Sequence, residues 1–185
     1  MDPRTKVNPM ATMATRHAGG VTLTTPVAVR GVVKVAGKPW PFVCGSYYVL
    51  ATQRPVMPAK GPGPRMATEV ERANIEALLN APVTEVTTCD GKDLRAIAQF
   101  ATDQAEENQV TGLPITVGGE VFNLCELTLP AAFAHATERV VIGRSDEMLR
   151  VDGDTFRFAL MKCVADPMGE LGGRDFAAMV SAGDA

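Results

Sequence analysis

Residues 113–164 constrain the fold more than any other part of the chain, because strand and turn signals alternate there around one short helical segment. Gly118-Gly119 separates two β-type runs, which is the pattern of a tight hairpin. Thr128 can cap a short helix that runs to Ala136. Three further strands are predicted at 139–142, 148–151 and 156–164. A strand, a helix and a strand meander therefore follow one another.

The turn Asp152-Gly153-Asp154 lies between the last two predicted strands. A turn of this composition favours antiparallel pairing of the strands on either side of it. Alternate residues of a strand share a face, so Phe156 and Phe158 are predicted to be buried together.

A chain of 185 residues makes one large domain or two small ones, and its 46% hydrophobic and 21% charged content excludes disorder of the whole chain. The net charge of -3 gives no overall positive field of the kind that attracts nucleic acid. No apolar run approaches the ~20 residues that span a bilayer, and the N-terminus lacks the apolar core of a secretory signal. A cytoplasmic protein without a membrane partner is expected.

Composition divides the chain into four segments. Residues 1–20 are predicted to form a flexible arm, residues 21–58 a β-rich segment of two or three antiparallel strands, and residues 166–185 a tail. The Pro- and Gly-rich stretch 58–64 cannot form a helix or a central strand, and it is predicted to be the main internal boundary. Residues 66–165 form the remaining α+β segment.

Two helices are predicted in that segment. Thr68 and Glu71 have the spacing of a capping box, which predicts a helix over 68–80. Asp90 can cap a second helix, whose apolar stripe is Leu94, Ile97, Ala98 and Ala101. Residues 103–108 are predicted to be polar and exposed.

Nothing in the sequence has the pattern of a catalytic or metal site. A hydrolytic triad needs a histidine beside a nucleophile, and the two histidines are His17, in the arm, and His135, at the end of the predicted short helix. The four cysteines lie tens of residues apart, which favours buried free thiols over a metal cluster. No enzyme activity, cofactor or metal is expected.

The first 65 residues are basic, because their only acidic residue is Asp2. Cations and aromatics mix at Lys34, Lys38, Trp40 and the pair 47–48, as they do in proteins that bind single-stranded nucleic acid. The alternative is a solvated sheet face with its aromatic side chains in the core. We favour the second interpretation, and the first stays open.

Residues 115–161 resemble the closing half-domain of the bacterial and phage-type β sliding clamps, the processivity clamps of DNA polymerases. The segment 161–163 stands where those clamps carry a Met-Pro-Met-like ending. Residues 47–52 are similar to the clamp strand that runs into an Ala-Thr-Asp-Gly-His-Arg motif, and Ala51 and Thr52 match it.

The resemblance implies an α+β, clamp-like fold of antiparallel sheets with two to three short helices, in which the helices line a ring. It implies a non-catalytic homo-oligomer that serves DNA replication, binds replication proteins through an apolar peptide and encloses duplex DNA. The implied DNA-facing residues are Lys92 and Arg95. The implied partner-peptide pocket has Thr52 on one wall and, on the other, Ala159, Met161 and Cys163.

The alternative function is a structural or assembly protein, such as a virion component, whose sheets and N-terminal arm make subunit contacts. A ring around DNA needs a positive inner surface, because the phosphates of the duplex carry a dense negative charge. A scaffold has no such need. The charge on the helix faces therefore discriminates between the two functions.

Overall fold

A computed structural model of the chain describes residues 14–17, 20–23, 25–54, 56–57, 63–108 and 112–162. Within these residues the helices are α1 (Glu69–Asn80), α2 (Gly91–Glu107), α3 (Thr128–Phe133) and a 3-10 helix at Leu124–Leu127. The strands are β1 (Ala14–His17), β2 (Gly20–Leu23), β3 (Val29–Val35), β4 (Lys38–Cys44), β5 (Tyr48–Thr52), β6 (Val56–Met57), β7 (Arg65–Met66), β8 (Thr84–Asp90), β9 (Pro114–Val117), β10 (Glu120–Asn123), β11 (Arg139–Ser145), β12 (Met148–Asp152) and β13 (Phe156–Met161).

Eight of these strands form one sheet in the order β7-β3-β4-β5-β13-β12-β11-β8. Its pairs are antiparallel apart from β3 with β7. Two small sheets, β1-β2-β6 and β9-β10, accompany it. The predicted α+β class is confirmed, and so is the hairpin around Gly118-Gly119.

The large sheet consists of two meanders that meet at its centre. The meanders are β3-β4-β5 and β11-β12-β13, and they join where Leu50 of β5 pairs with Phe158 of β13. Strands from both sides of the stretch 58–64 therefore share one sheet. That stretch separates two segments of the chain, but it does not separate two sheets.

The closing hairpin has the predicted arrangement. β12 and β13 are antiparallel, with Met148 opposite Met161 and Asp152 opposite Arg157. Phe156 and Phe158 are both fully buried on one face of the sheet. The period-two pattern therefore predicted correctly that these two phenylalanines share a buried face.

The two long helices pack on opposite faces of this sheet. Leu50 of β5 belongs to the core cluster that contains the apolar stripe of α2, whereas its neighbours Val49 and Ala51 belong to a second cluster with Ile75 and Leu79 of α1. Successive residues of a strand point to opposite faces, so α1 and α2 lie on different sides.

Capping fixes where the helices begin. Thr68 and Glu71 form the predicted capping box of α1, and the side chain of Asp90 accepts from the backbone N of Asp93 at the start of α2. The prediction for residues 103–108 was partly wrong. They continue α2 to Glu107, and Ala105 is fully buried because it extends the apolar stripe by one turn.

The short helix α3 differs from its prediction at both ends. It ends at Phe133 rather than at Ala136, and Thr128 is its first residue rather than its cap. The reason is that α3 continues directly from the 3-10 helix, which Asn123 caps by accepting from the backbone N of Cys125 at 3.1 Å. The hydroxyl of Thr128 donates to the carbonyl of Cys125 instead.

Two arginines, one from β12 and one from β13, contact the C-terminus of helix α1, whose own last turn contains no basic residue. Arg150, which is fully buried, donates to the carbonyls of Leu78 at 2.6 Å and Leu79 at 2.9 Å. Arg157 also donates to the Leu79 carbonyl, at 2.5 Å. These cations meet the negative end of the helix dipole and donate to carbonyls of its last turn.

The aromatic side chains of the basic N-terminal segment belong mainly to the core. Trp40 and Tyr48 are buried, which agrees with the second interpretation of that segment. Of the cysteines, Cys125 is buried, and Cys44 and Cys89 are half-buried, all with free thiols. The predicted tail, 166–185, and residues 1–13 of the predicted arm lie outside the described residues.

Candidate functional site

The residues of the predicted peptide pocket do not come together. Thr52 pairs with Phe156 at one end of β13, whereas Met161 lies at the other end of that strand. Thr52 is fully buried on the α2 side, and Ala159 is fully buried on the α1 side. Met161 shares the side of Ala159 and is 51% exposed. Cys163 lies outside the described residues.

The predicted pocket is thus wrong in its geometry, and strand register is the reason. Five residues separate Phe156 from Met161, which is roughly 17 Å along a strand. An odd separation also places the two side chains on opposite faces of the sheet. Both segments are strands, as the sequence predicted, but the sequence did not fix the register between them.

Thr52 instead positions the turn that follows β5. Its hydroxyl accepts from the backbone N of Arg54 at 3.0 Å, and the backbone N of Gln53 donates to the carbonyl of Thr155 at 2.9 Å. This turn is therefore fixed to the closing hairpin. It presents Gln53 and Arg54 at the rim of a groove.

We call this depression the β3–β4 groove. It has a volume of about 560 Å³. Its floor is the outward-facing side of β3 and β4, which α2 leaves uncovered because that helix packs on β8 and β11. The lining residues are Arg30, Gly31, Val32, Pro41, Phe42, Val43, Gln53, Arg54, Val56 and Met66.

The groove exposes apolar side chains that would ordinarily be covered. Val32 is 52% exposed and Met66 is 61% exposed. On β3 the alternating burial pattern places Val29, Val33 and Val35 inward and leaves Val32 outward. The sequence pattern of β3 already indicated this surface. Val32 occupies an outward position of an alternating strand, where its apolar side chain is not buried by the rest of the chain.

The groove also has basic side chains at its rim. Arg30 lies on the exposed face of β3, and Arg54 lies in the turn after β5. No ion pair with a carboxylate is recorded for either of them within the described residues. The surface can therefore bind an apolar group flanked by negative charge.

Lys92 and Arg95, the residues predicted to face DNA, both lie near the N-terminus of α2. Lys92 is exposed, and Arg95 is half-buried and donates to the carbonyl of Ala134 at 2.8 Å. The rest of the helix surface is acidic, since α2 holds these two cations against four carboxylates, Asp93, Asp103, Glu106 and Glu107. Helix α1 likewise holds Arg72 against Glu69, Glu71 and Glu76.

Neither helix thus presents the positive face that a DNA-encircling ring needs. Each carries two more carboxylates than cations. The positive charge near α2 is confined to its first turns, where Arg95 meets arginines from other elements.

Segment 134–138 is pinned to the N-terminus of α2 beside these arginines. The backbone N of Gly91 donates to the carbonyl of Glu138, and that of Lys92 donates to the carbonyl of Ala136, both at 3.0 Å. Gly91 is required for this close approach, because a Cβ there would lie 1.8 Å from the carbonyl oxygen of His135. The buried Glu138 carboxylate also accepts from the backbone N of His135 at 2.7 Å.

His135 was predicted to meet the dipole at the end of a helix, and it lies two residues beyond the end of α3. Its Nε2 lies against Nη2 of Arg54. Within the described residues, the His135 ring forms no hydrogen bond with a nucleophilic side chain. The geometry therefore positions His135 beside a cation rather than in a catalytic pair.

Sequence reasoning missed one buried acidic group. Glu126 is 5% exposed, and one of its oxygens accepts from the amide of Asn123 at 3.3 Å. The other oxygen, Oε2, is buried without a hydrogen-bond partner in the described part of the chain. Burial raises the pKa of this carboxyl to about 7. Because the Glu126 carboxyl lies in the interior, its raised pKa affects the stability of the protein rather than the chemistry of a substrate.

The described ranges contain no group of three or more side chains that could hold a metal ion, and no helix in them is long and apolar enough to cross a membrane. No protein-family model matches the chain, and no curated protein or solved structure matches it either. The candidate functional surfaces therefore rest on the geometry of this chain alone.

Proposed function

We propose that this protein is a non-catalytic binding module that captures a partner protein through the β3–β4 groove. The observation that carries this proposal is the exposure of Val32 and Met66 within one depression of the surface. Apolar side chains that converge in a groove are the usual anchor points of protein interfaces.

The occupant that fits best is a peptide with an apolar anchor and a neighbouring acidic residue. The apolar side chain would cover Val32 and Met66, and the carboxylate would pair with Arg30 or Arg54 at the rim. A guanidinium can hold a carboxylate through two parallel hydrogen bonds, which gives orientation as well as affinity.

The experiment selects binding peptides from a displayed library on the intact protein and measures their affinity by fluorescence anisotropy. We expect selected peptides to combine an aromatic or aliphatic residue with Asp or Glu. Val32→Asp should weaken their binding at least about tenfold, since it places a charge in the apolar contact.

Val70→Asp is the matched control. Val70 is 69% exposed on the surface of α1, outside the residues that line the groove. This variant should bind the peptides as the unaltered protein does. Equal binding by the Val32→Asp protein, or a library without an enriched motif, would refute the groove as the docking site.

A second candidate is a sliding-clamp-like accessory of DNA replication, which forms a homo-oligomer and follows duplex DNA. The observation that favours it is the order of a strand pair, a short helix and the meander β11-β12-β13, which is the order on which the clamp resemblance is based. The contacts proposed with DNA are Lys92 and Arg95. The acidic helix surfaces oppose this candidate.

Solution mass and salt-dependent binding of a DNA duplex test the second candidate. A clamp predicts a closed oligomer, whose affinity for DNA falls steeply with salt and falls further in a Lys92→Gln, Arg95→Gln variant. A closed or extended oligomer that does not bind DNA at low salt would instead favour the assembly function, in which sheets of neighbouring copies make the contacts.

A further inference from the structure

Three arginines from distant parts of the chain converge on the segment that follows α3. Arg16 of β1 and Arg95 of α2 both donate through Nη1 to the carbonyl of Ala134, at 3.0 Å and 2.8 Å. These two nitrogens are therefore at most about 6 Å apart, at a separation where like charges repel strongly. Arg54 contacts the next residue, His135, through its Nη2.

The cluster has more positive charge than its surroundings neutralise. Burial lowers the pKa of Arg54, and the charges of Arg16 and Arg95 lower it as well, whereas Glu138 raises it. Glu138 is buried, and its carboxylate already accepts from the backbone N of His135 and of Thr155. Among the charges that shift the pKa of Arg54, two arginines thus stand against one carboxylate.

A cleft of about 260 Å³ opens beside two of these arginines. Arg16 and Arg95 contribute to its wall, and the small side chains of Ala98, Ala131 and Ala132 give it an apolar floor. Small side chains at these positions leave room for a compact ligand between β1, α2 and α3. Cations at one end and an apolar floor make the cleft amphipathic.

We propose that the arginine cluster and this cleft form a binding site for a small phosphomonoester. The phosphate would lie among Arg16, Arg54 and Arg95, and the organic part would lie on the alanine floor. A dianionic phosphate matches the excess of about two positive charges, and guanidinium forks suit its oxygens. A carboxylate would neutralise only half of that excess.

A nucleic acid duplex fits this surface less well than a small ligand does. From Arg95 onward α2 continues with Asp103, Glu106 and Glu107 on its surface. A duplex would bring further phosphates toward those carboxylates, whereas a single phosphate group contacts the arginines alone.

Isothermal titration calorimetry of the full chain with phenyl phosphate, inorganic phosphate and benzoate tests the site. We expect saturable binding of phenyl phosphate at one site, with inorganic phosphate and benzoate each at least about tenfold weaker. Arg16→Gln and Arg95→Gln should each weaken phenyl phosphate binding by about tenfold or more. Neither residue lines the β3–β4 groove, so these two substitutions do not alter the peptide contacts, although Arg54 borders both sites.

Arg72→Gln, which removes an exposed arginine from α1 on the other face of the sheet, is the control and should leave binding unchanged. Arg95→Lys keeps the charge but loses the fork, so it should bind with intermediate affinity. Thermal melts identify a variant that fails to fold. If the Arg95→Gln protein does not fold, the Arg16→Gln protein decides whether the arginines bind phenyl phosphate, because the Arg16 side chain is exposed.

Absence of phenyl phosphate binding, or equal binding by the Arg16→Gln and Arg95→Gln proteins, would overturn the assignment. A short DNA duplex that binds through these arginines, in a protein that does not bind phenyl phosphate, would also overturn it in favour of a polyanion site. Displacement of phenyl phosphate by inorganic phosphate at high concentration supports the proposed position of the phosphate group.

Discussion

The buried carboxyl of Glu126 should make the stability of this protein depend on pH in a way that one substitution removes. In the folded protein the pKa of this group is about 7, because burial disfavours the charged form, and among the described residues Asn123 alone donates to it. In the unfolded chain the pKa returns to its ordinary value of 4.5. Below pH 4.5 the group is neutral in both states, so it has no effect on stability there.

The sign and size of the effect follow from the two pKa values. As the pH rises from 4.5 to 7, the unfolded chain ionises first, and this favours unfolding. Above pH 7 the folded protein holds a buried carboxylate. The difference between the two pKa values corresponds to a loss of about 3 kcal/mol of stability across this range. Glu126 is only 5% exposed, so solvent screening reduces this figure little.

Glu126→Gln keeps the shape of the side chain and removes the ionisation. Its amide oxygen can still accept from Asn123. Urea unfolding of both proteins at pH 5 and pH 8 measures the effect. We expect the Glu126→Gln protein to be more stable by less than about 1 kcal/mol at pH 5 and by about 3 kcal/mol at pH 8, or roughly 6–12 °C in Tm at pH 8.

The difference between the two proteins isolates Glu126, because every other titrating group is common to both. If the stability difference between the Glu126→Gln protein and the unaltered protein is the same at both pH values, the carboxyl ionises as an exposed one would. The argument from its burial would then be refuted.

Two further predictions concern the contacts that hold the helices. Arg150→Met should lower the free energy of unfolding by roughly 3–5 kcal/mol, because it leaves the last carbonyls of α1 and the carboxylate of Asp152 without their buried partner. Urea unfolding measures this loss, and amide hydrogen exchange should become faster in α1 than in the other elements. Equal acceleration in all elements would show that Arg150 does not hold the helix. Gly91→Ala should lower the Tm and reduce the free energy of unfolding by about 1–3 kcal/mol, because the added Cβ would clash with the carbonyl of His135. An unchanged Tm would show that segment 134–138 can move away from the start of α2 at little cost.

Much of the fold could be predicted from local signals. The capping box at Thr68 and Glu71, the Asp90 cap and the alternation at Phe156 and Phe158 each depend on residues close in sequence, and each was confirmed. Periodicity and capping are local properties of the chain, so the sequence displays them directly.

The candidate site depends on long-range placement, and sequence reasoning located it only in part. Thr52 and Met161 were assigned to one pocket because two short motifs matched, but the register between β5 and β13 separates them. Arg16, Arg54 and Arg95 are distant in sequence, and only the packing of β1, α2 and the turn after β5 brings them together. No spacing pattern encodes such a meeting.

The central pairing of β5 with β13 has a consequence for synthesis of the protein on the ribosome. More than 100 residues separate the two strands, so the meander β3-β4-β5 must wait for nearly the whole chain before its inner edge is covered. Helix α1 waits as well, because the arginines that hold its C-terminus come from β12 and β13. Such distant contacts slow folding and leave an unpaired strand edge that can associate with other chains. The nascent protein is therefore expected to need protection at β5 until β13 has left the ribosome.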